Sequence, residues 1–231
     1  NYNSIFFVIW TTTPWTLPGN VALALKQDAE YVIIPTLNTE TQKKEKLILA
    51  KDIWEKQKSF ETYPINQFIL GIAGNKGIYD YNALEIQTVL GSSLVGKSYK
   101  PIFPYFIEKE IENKENIWKI WHADFITLDT GTGIAHEAPA FGAEDMDLAK
   151  ANKIPVIKHV KMDGTFTDDV TDFAGMKVKV KDDTQSADIE IIKYLAYSGS
   201  LFEKHKIIHS YPLCWRCKTP LLNYATSSWF V

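Results

Sequence analysis

Trp10-Thr11-Thr12-Thr13-Pro14-Trp15-Thr16-Leu17-Pro18-Gly19-Asn20 packs four threonines into six positions, together with two tryptophans and two prolines. The prolines fix the backbone and remove two amide donors. Gly19-Asn20 reads as a turn. Ile5 to Trp10, just before, is a continuous apolar run suited to a buried strand. A rigid, hydroxyl-rich turn leaving a buried strand is a good place to hold a small polar substrate. From the residues alone, the threonines also suit a sheet edge, since threonine is a common strand residue.

A second stretch carries the other candidate chemistry. It runs Asp129-Thr130-Gly131-Thr132-Gly133-Ile134-Ala135-His136-Glu137-Ala138-Pro139-Ala140-Phe141-Gly142-Ala143-Glu144-Asp145. Gly131 and Gly133 let the backbone approach a ligand closely. They do not complete a dinucleotide fingerprint, because His136 stands where the third glycine belongs and no βαβ pattern follows. On residue type alone, His136 and Asp145 are either a polar site pair or a core histidine beside a helix-start acid that favours the helix dipole.

Composition narrows the class. The chain has 231 residues, 45% hydrophobic and 13% aromatic, which suits a globular core. Net charge is −3 and the isoelectric point about 6.0. A free-standing nucleic-acid binder usually carries a basic surplus, so any nucleic-acid contact is expected to be local or shared with other domains. Arg216 is the only arginine, so bidentate guanidinium clamps on phosphate are absent over most of the chain. No apolar run is long enough to span a membrane, and the start does not read as a signal peptide. With only Cys214 and Cys217, this points to a reducing, cytoplasmic setting. The chain starts without methionine inside an apolar pattern and ends in Ser228-Trp229-Phe230-Val231, so both ends read as cuts through a larger protein.

The expected elements are many short strands and a few helices. Ser4 to Trp10, Tyr31 to Ile34 and Leu47 to Ala50 read as strands, and Asp52 to Lys58 as a short helix. Asn38 to Lys46 reads as an exposed loop. Phe68 to Ala73 is an apolar run closed by Gly74-Asn75-Lys76-Gly77. Val95 to Phe106 holds too many breakers for a regular element. Ile107 to Asn116 reads as solvated. Ile117 to His122 and Phe125 to Leu128 read as paired strands. Gly142 to Asn152 is helix-like. Asp182 to Ser198 is the clearest helix, with Ala187, Ile191, Tyr194 and Leu195 at helical spacing and Gly199 as its stop. Ser210 to Pro220 reads as a turn-rich knuckle. The sum is an α+β domain with a mostly antiparallel, barrel-like sheet and a few peripheral helices.

Both quoted stretches resemble the signature blocks of the isoleucyl-tRNA synthetase editing domain, the connective peptide 1 insertion. The valyl and leucyl enzymes are similar but carry Thr-Thr-Arg-Pro-Glu/Asp-Thr. Thr13 and Trp15 depart from that pattern and favour the isoleucyl branch. The resemblance continues through Pro155, Asp163-Gly164 and His209-Ser210-Tyr211-Pro212 to Trp229, and is weakest between Asn38 and Asn116. It implies one editing domain over 1–231, with about 209–231 returning toward a catalytic core.

The implied reaction is hydrolysis of valine esterified to tRNA(Ile), with valyl-adenylate as a possible second substrate. One methylene separates valine from isoleucine and is worth only about 1–3 kcal/mol in a binding pocket, a limit for which isoleucyl-tRNA synthetase is itself the standard illustration. By the family pattern, Asp145 holds the α-ammonium, His136 excludes isoleucine by size, and Thr13 positions the water. Thr11 and Thr12 add hydroxyls, while Thr12, Trp15, Thr16 and Asn20 shape the adenosine and ester pocket. Gly133 and Ala143 are further expected substrate contacts. The implied partners are the tRNA(Ile) 3′ end and the rest of the synthetase, with no membrane, and the fragment is expected to be monomeric. No cofactor is expected here; zinc and ATP belong to the full-length enzyme. Cys214-Trp215-Arg216-Cys217 has the spacing of half a zinc site, and one pair cannot close it. The competing readings are a valyl- or leucyl-type editing domain and a non-catalytic module that binds the tRNA acceptor end.

Overall fold

The computed structural model describes residues 4–37, 44–59, 68–69, 78–79, 86–204 and 210–227. Nine strands and three α-helices are defined among them: β1 Ser4–Phe7, β2 Ala22–Leu25, β3 Glu30–Leu37, β4 Lys44–Ala50, α1 Lys51–Ser59, β5 Phe68–Ile69, β6 Ile78–Tyr79, β7 Gln87–Leu90, β8 Lys119–His122, β9 Ala135–Glu137, α2 Ala143–Asn152 and α3 Ser186–Ser198. A short 3-10 helix, Pro14–Gly19, follows the threonines.

The fold is α+β. One sheet has the order β1-β4-β3-β7, a second has β8-β2-β9, and β5 and β6 form a small pair. The β1–β4 and β2–β8 pairings are parallel and the other four are antiparallel. The mostly antiparallel α+β arrangement is the expected one; among the described residues the sheets stay open rather than forming a closed barrel.

Sequence explains most of these elements. β3 is rich in β-branched and aromatic residues and pairs on both sides, so Tyr31, Val32 and Ile34 are buried. α3 turns Ala187, Ile191 and Leu195 inward and stops at Gly199, whose φ of +71° is the left-handed conformation that glycine tolerates. α2 ends at Lys153 in the same conformation.

Several expectations change. The Ser4 to Trp10 strand is only β1, an edge strand with Ile5 and Phe6 exposed rather than buried, and the Asp182 to Ser198 helix begins at Ser186. Asn38 to Lys46 is not all loop: Lys44 to Lys46 begin β4, while 38–43 lie outside the described residues. Phe125 to Leu128 is not a strand. β8 pairs instead with β2, in parallel, and Ile126 is apolar because it packs with Ala24 and Ala123. β2 itself was not anticipated. It is buried on both faces as the middle strand of its sheet, so it shows no apolar–polar alternation. Residues 70–77, including Gly74 and Gly77, lie outside the described residues, as do His209 and Ser228 to Val231.

Two apolar clusters frame the region of interest. One joins the first sheet to α1 through Tyr31, Leu47, Ile53 and Trp54. The other gathers Trp15, Leu17, Phe141, Phe166 and Ile191 around the 3-10 helix and α3. The threonine stretch bridges them, since β1 before it belongs to the first sheet and β2 after it to the second.

Candidate functional site

The pairing of β2 with β9 brings the two quoted stretches together. Leu23 stands opposite His136 and Ala22 opposite Glu137. Where they meet, a cavity of about 280 Å³ is lined by Trp10, Thr11, Thr12, Thr13, Thr16, His136, Ala138, Phe141, Gly142 and Asp145.

The threonines form a connected wall. Thr13 N donates to Thr11 Oγ1 (3.1 Å), and Thr16 Oγ1 donates to Thr13 O (2.8 Å). Thr16 Oγ1 also lies 2.9 Å from His136 Nε2. The Thr13 hydroxyl has only long contacts to these neighbours, 3.4 Å to Thr11 Oγ1 and 3.5 Å to Thr16 Oγ1. Both exceed the usual 2.7–2.8 Å for O–H···O, so this hydroxyl keeps hydrogen-bonding capacity for a guest.

His136 is held as a neutral imidazole. Burial pushes its pKa down to about 4, because a charged ring there loses its hydration. Its Nδ1 is buried and has no hydrogen-bond partner among the described residues.

Asp145 occupies the first turn of α2, where backbone amides lack helical partners. Its Oδ2 accepts a hydrogen bond from Ala138 N at 2.7 Å. Gly142 is required here. A Cβ on it lies 2.2 Å from Asp145 Oδ1, so only glycine lets the carboxylate fold back over the helix start. Burial raises the Asp145 pKa, and the Ala138 amide opposes the rise. Asp145 thus stands in the first turn of α2, where a negative charge suits the helix dipole, and also lines the cavity.

Of the expected site residues, Thr11, Thr12, Thr13, Thr16, His136 and Asp145 meet in the cavity, and four do not. Trp15 is core: it is buried, packs edge-on against Phe141 at 5.1 Å, and its carbonyl faces His159 Nε2 at 3.0 Å. Asn20 braces the sheet, with Nδ2 donating to Ala22 O and Oδ1 accepting from Tyr99. Gly133, at φ +70°, lies against Ala50, where a Cβ meets the Ala50 methyl at 2.4 Å. Ala143 is exposed at the start of α2. Each belongs to a motif whose neighbours reach the cavity, and sequence adjacency hides the difference.

Sequence reasoning missed Trp10, Ala138, Phe141 and Gly142 as lining residues, although all four fall in the quoted stretches. It also missed the supports behind the wall. Glu137, next to His136 on β9, is 1% exposed. Burial first, and then the carboxylates of Asp145 and Glu144, raise its pKa to about 9, so it is protonated at neutral pH. His159 is buried beneath Gly19, and burial lowers its pKa to about 4.

The Cys214–Cys217 turn is closed by Cys214 N to Thr219 O (2.8 Å) and Lys218 N to Cys214 O (2.9 Å). Both thiols are free. Among the described residues no group of three or more His, Cys, Asp or Glu side chains is placed to hold a metal. The pair alone does not fit a tetrahedral zinc site. No helix among the described residues is long and apolar enough to cross a membrane.

No protein-family model matches the chain. Two solved structures share its fold. The crystal structure of GlLeuRS-CP1 superposes with a TM-score of 0.52 at 16% identity, covering 82% of this chain and 77% of that one. The P. knowlesi cytosolic leucyl-tRNA synthetase editing domain gives 0.51 at 11%, covering 85% and 82%. The fold is that of an aminoacyl-tRNA synthetase editing domain.

Sequence relatives narrow it further. The isoleucine–tRNA ligase of Clostridium novyi is 39% identical over 226 residues, 98% of this chain and 18% of the ligase. The cytoplasmic isoleucine–tRNA ligase of Schizosaccharomyces pombe is 39% identical over 232 residues, 98% and 19%. The chain belongs to the isoleucine–tRNA ligase family, matching its editing domain, and spans about a fifth of the length of these relatives.

Proposed function

We propose that the chain hydrolyses valine wrongly esterified to tRNA(Ile), as the proofreading domain of a larger isoleucine–tRNA ligase. One observation carries this reading: the Thr11–Thr13 turn, His136 and Asp145 line the same cavity although more than a hundred residues separate the two stretches. The family resemblance assigns those residues to the reaction, and their chemistry suits it.

Asp145 supplies the anion that an α-ammonium group needs, already oriented by the Ala138 amide. His136, neutral and half-buried, gives a wall of fixed size against the amino-acid side chain. Thr13 offers a loosely bonded hydroxyl to hold the attacking water. Water adds to the ester carbonyl carbon, the bond to the ribose oxygen breaks, and that oxygen leaves as a hydroxyl. A threonine is too weak an acid to serve as base unaided, so a neighbouring ribose hydroxyl of the substrate is the proposed proton carrier. Valyl-adenylate is a second proposed substrate; there water adds to the same carbonyl carbon, the bond to the phosphate oxygen breaks and AMP leaves.

The partners in this reading are the tRNA(Ile) 3′ end carrying valine and the remainder of the ligase. Residues 1–231 act as one editing unit, and about 209–231 lead back toward the catalytic core. The test is deacylation of Val-tRNA(Ile) and Ile-tRNA(Ile) by the complete gene product that carries this chain. Hydrolysis of the first and sparing of the second is expected, with Asp145→Ala abolishing it. Undiminished hydrolysis by Asp145→Ala would sink the ammonium assignment.

A further inference from the structure

The contacts of Thr16 settle a proton that neither the family resemblance nor the cavity shape assigns. Thr16 is 6% exposed, so its hydroxyl proton must be used inside the protein. A serine or threonine hydroxyl has one proton to give and two lone pairs to offer. Thr13 O, at 2.8 Å, is an acceptor and nothing else, so it takes that proton. The contact of 2.9 Å between Thr16 Oγ1 and His136 Nε2 then works only if the ring nitrogen donates. The opposite arrangement sets the Thr13 carbonyl against a bare hydroxyl lone pair. It also places the ring proton on Nδ1, which is buried with no acceptor among the described residues. Buried N–H donors left without an acceptor are rare in folded proteins.

We propose that Thr16 is a positioning residue that locks the His136 ring as its Nε2–H tautomer and so fixes the wall of the cavity. With Nε2 engaged by Thr16 and Nδ1 buried, the ring has no nitrogen left to take a proton from substrate. It meets the cavity through ring carbon. Thr16 thus acts through His136, unlike Thr13, whose hydroxyl keeps capacity for a guest. The activity arm of this proposal rests on the editing reading; the structural arm does not.

Ring 15N spectra of the histidine-labelled chain test it at neutral pH, with His136→Gln identifying the signal. Wild type is expected to show a protonated Nε2 and a bare Nδ1. Thr16→Val, close in shape, is expected to mix the two tautomers, and Thr16→Ser to restore the wild-type pattern. An Nδ1–H ring in wild type overturns the proposal without any variant having to fold. So does a pure Nε2–H ring in folded Thr16→Val. In deacylation, Thr16→Val is expected to reduce discrimination between Val-tRNA(Ile) and Ile-tRNA(Ile) by about tenfold, the order expected for losing control of one methylene. Thr16→Ser should recover it, and equal losses in both variants count against the lock. A wild-type protein inactive on both charged tRNAs sinks the editing reading, while the ring spectrum still decides the present one.

Discussion

Asp188 Oδ1 accepts a hydrogen bond from Trp15 N at 3.1 Å, tying helix α3 to the threonine turn across 173 positions of sequence. Its other oxygen pairs with Lys179, whose side chain is 9% exposed. Removing one partner of a buried pair leaves an uncompensated charge and costs about 3–5 kcal/mol. Asp188→Ala is therefore expected to lower the melting temperature by roughly 10 °C. Asp188→Asn keeps an acceptor for Trp15 N and should lose less. Thermal unfolding by circular dichroism checks both, and an Asp188→Ala protein melting with wild type would show that the pair contributes nothing.

Gly142 lines the cavity and also sets the position of Asp145. A methyl group there occupies the space of Asp145 Oδ1 and drives the carboxylate off the Ala138 amide. A hydrogen bond to a charged group is worth about 1.5–3 kcal/mol, so Gly142→Ala is expected to cut kcat/KM for Val-tRNA(Ile) by about 10–100-fold. Its far-ultraviolet spectrum should stay native. Wild-type rates in a folded Gly142→Ala protein would show that Asp145 does not need this orientation.

His136→Ala removes the wall and is expected to start hydrolysis of correctly charged Ile-tRNA(Ile), read in the same deacylation assay. Continued sparing would exclude the steric role. The wild-type pH profile gives a second check. Burial holds the folded pKa near 4, so protonation of His136 should produce no inflection near its ordinary 6.5. An inflection there that disappears in His136→Ala would mean that the ring does titrate in the working range.

Glu137 makes stability pH-dependent in a predictable direction. Its folded pKa is about 9 against an ordinary 4.5, so between these values the native state holds a proton that the unfolded state releases. Stability from this group is complete below about pH 4.5 and falls as pH rises toward 9. Glu137→Gln removes that slope. Its melting temperature should rise relative to wild type on going from pH 5 to pH 8, by an amount on the order of 2–4 °C per kcal/mol recovered. A constant difference across that range would mean that Glu137 is ionised in the fold.

Much of this was legible in the chain itself. Each motif stretch is unbroken in sequence, and the resemblance to a known family, rather than residue type alone, places the two in one pocket. α3 shows helical spacing and a glycine stop, β3 is rich in β-branched residues, and β4 ends in the apolar run Leu47 to Ala50. β2 was not legible, because a strand buried on both faces loses the alternation that marks a half-buried one. Its pairing with β8 is parallel and distant in sequence, so nothing local announces it. Trp15, Asn20 and Gly133 could not be told from their neighbours either. In a tight turn adjacent residues face opposite ways, and only the packing of His159, Tyr99 and Ala50 decides which face is the cavity. Asp188 leaves no trace near the residues it holds.

The pairing of Leu23 with His136 has one more consequence. Side chains alternate along a strand, so a slip of one position in this short ladder exchanges His136 for Glu137 at the cavity. A neutral ring gives way to a carboxyl group, on a wall that already carries the Asp145 carboxyl group. Deleting Ala135 therefore keeps both His136 and Glu137 in the chain and still turns each to the opposite face of the strand.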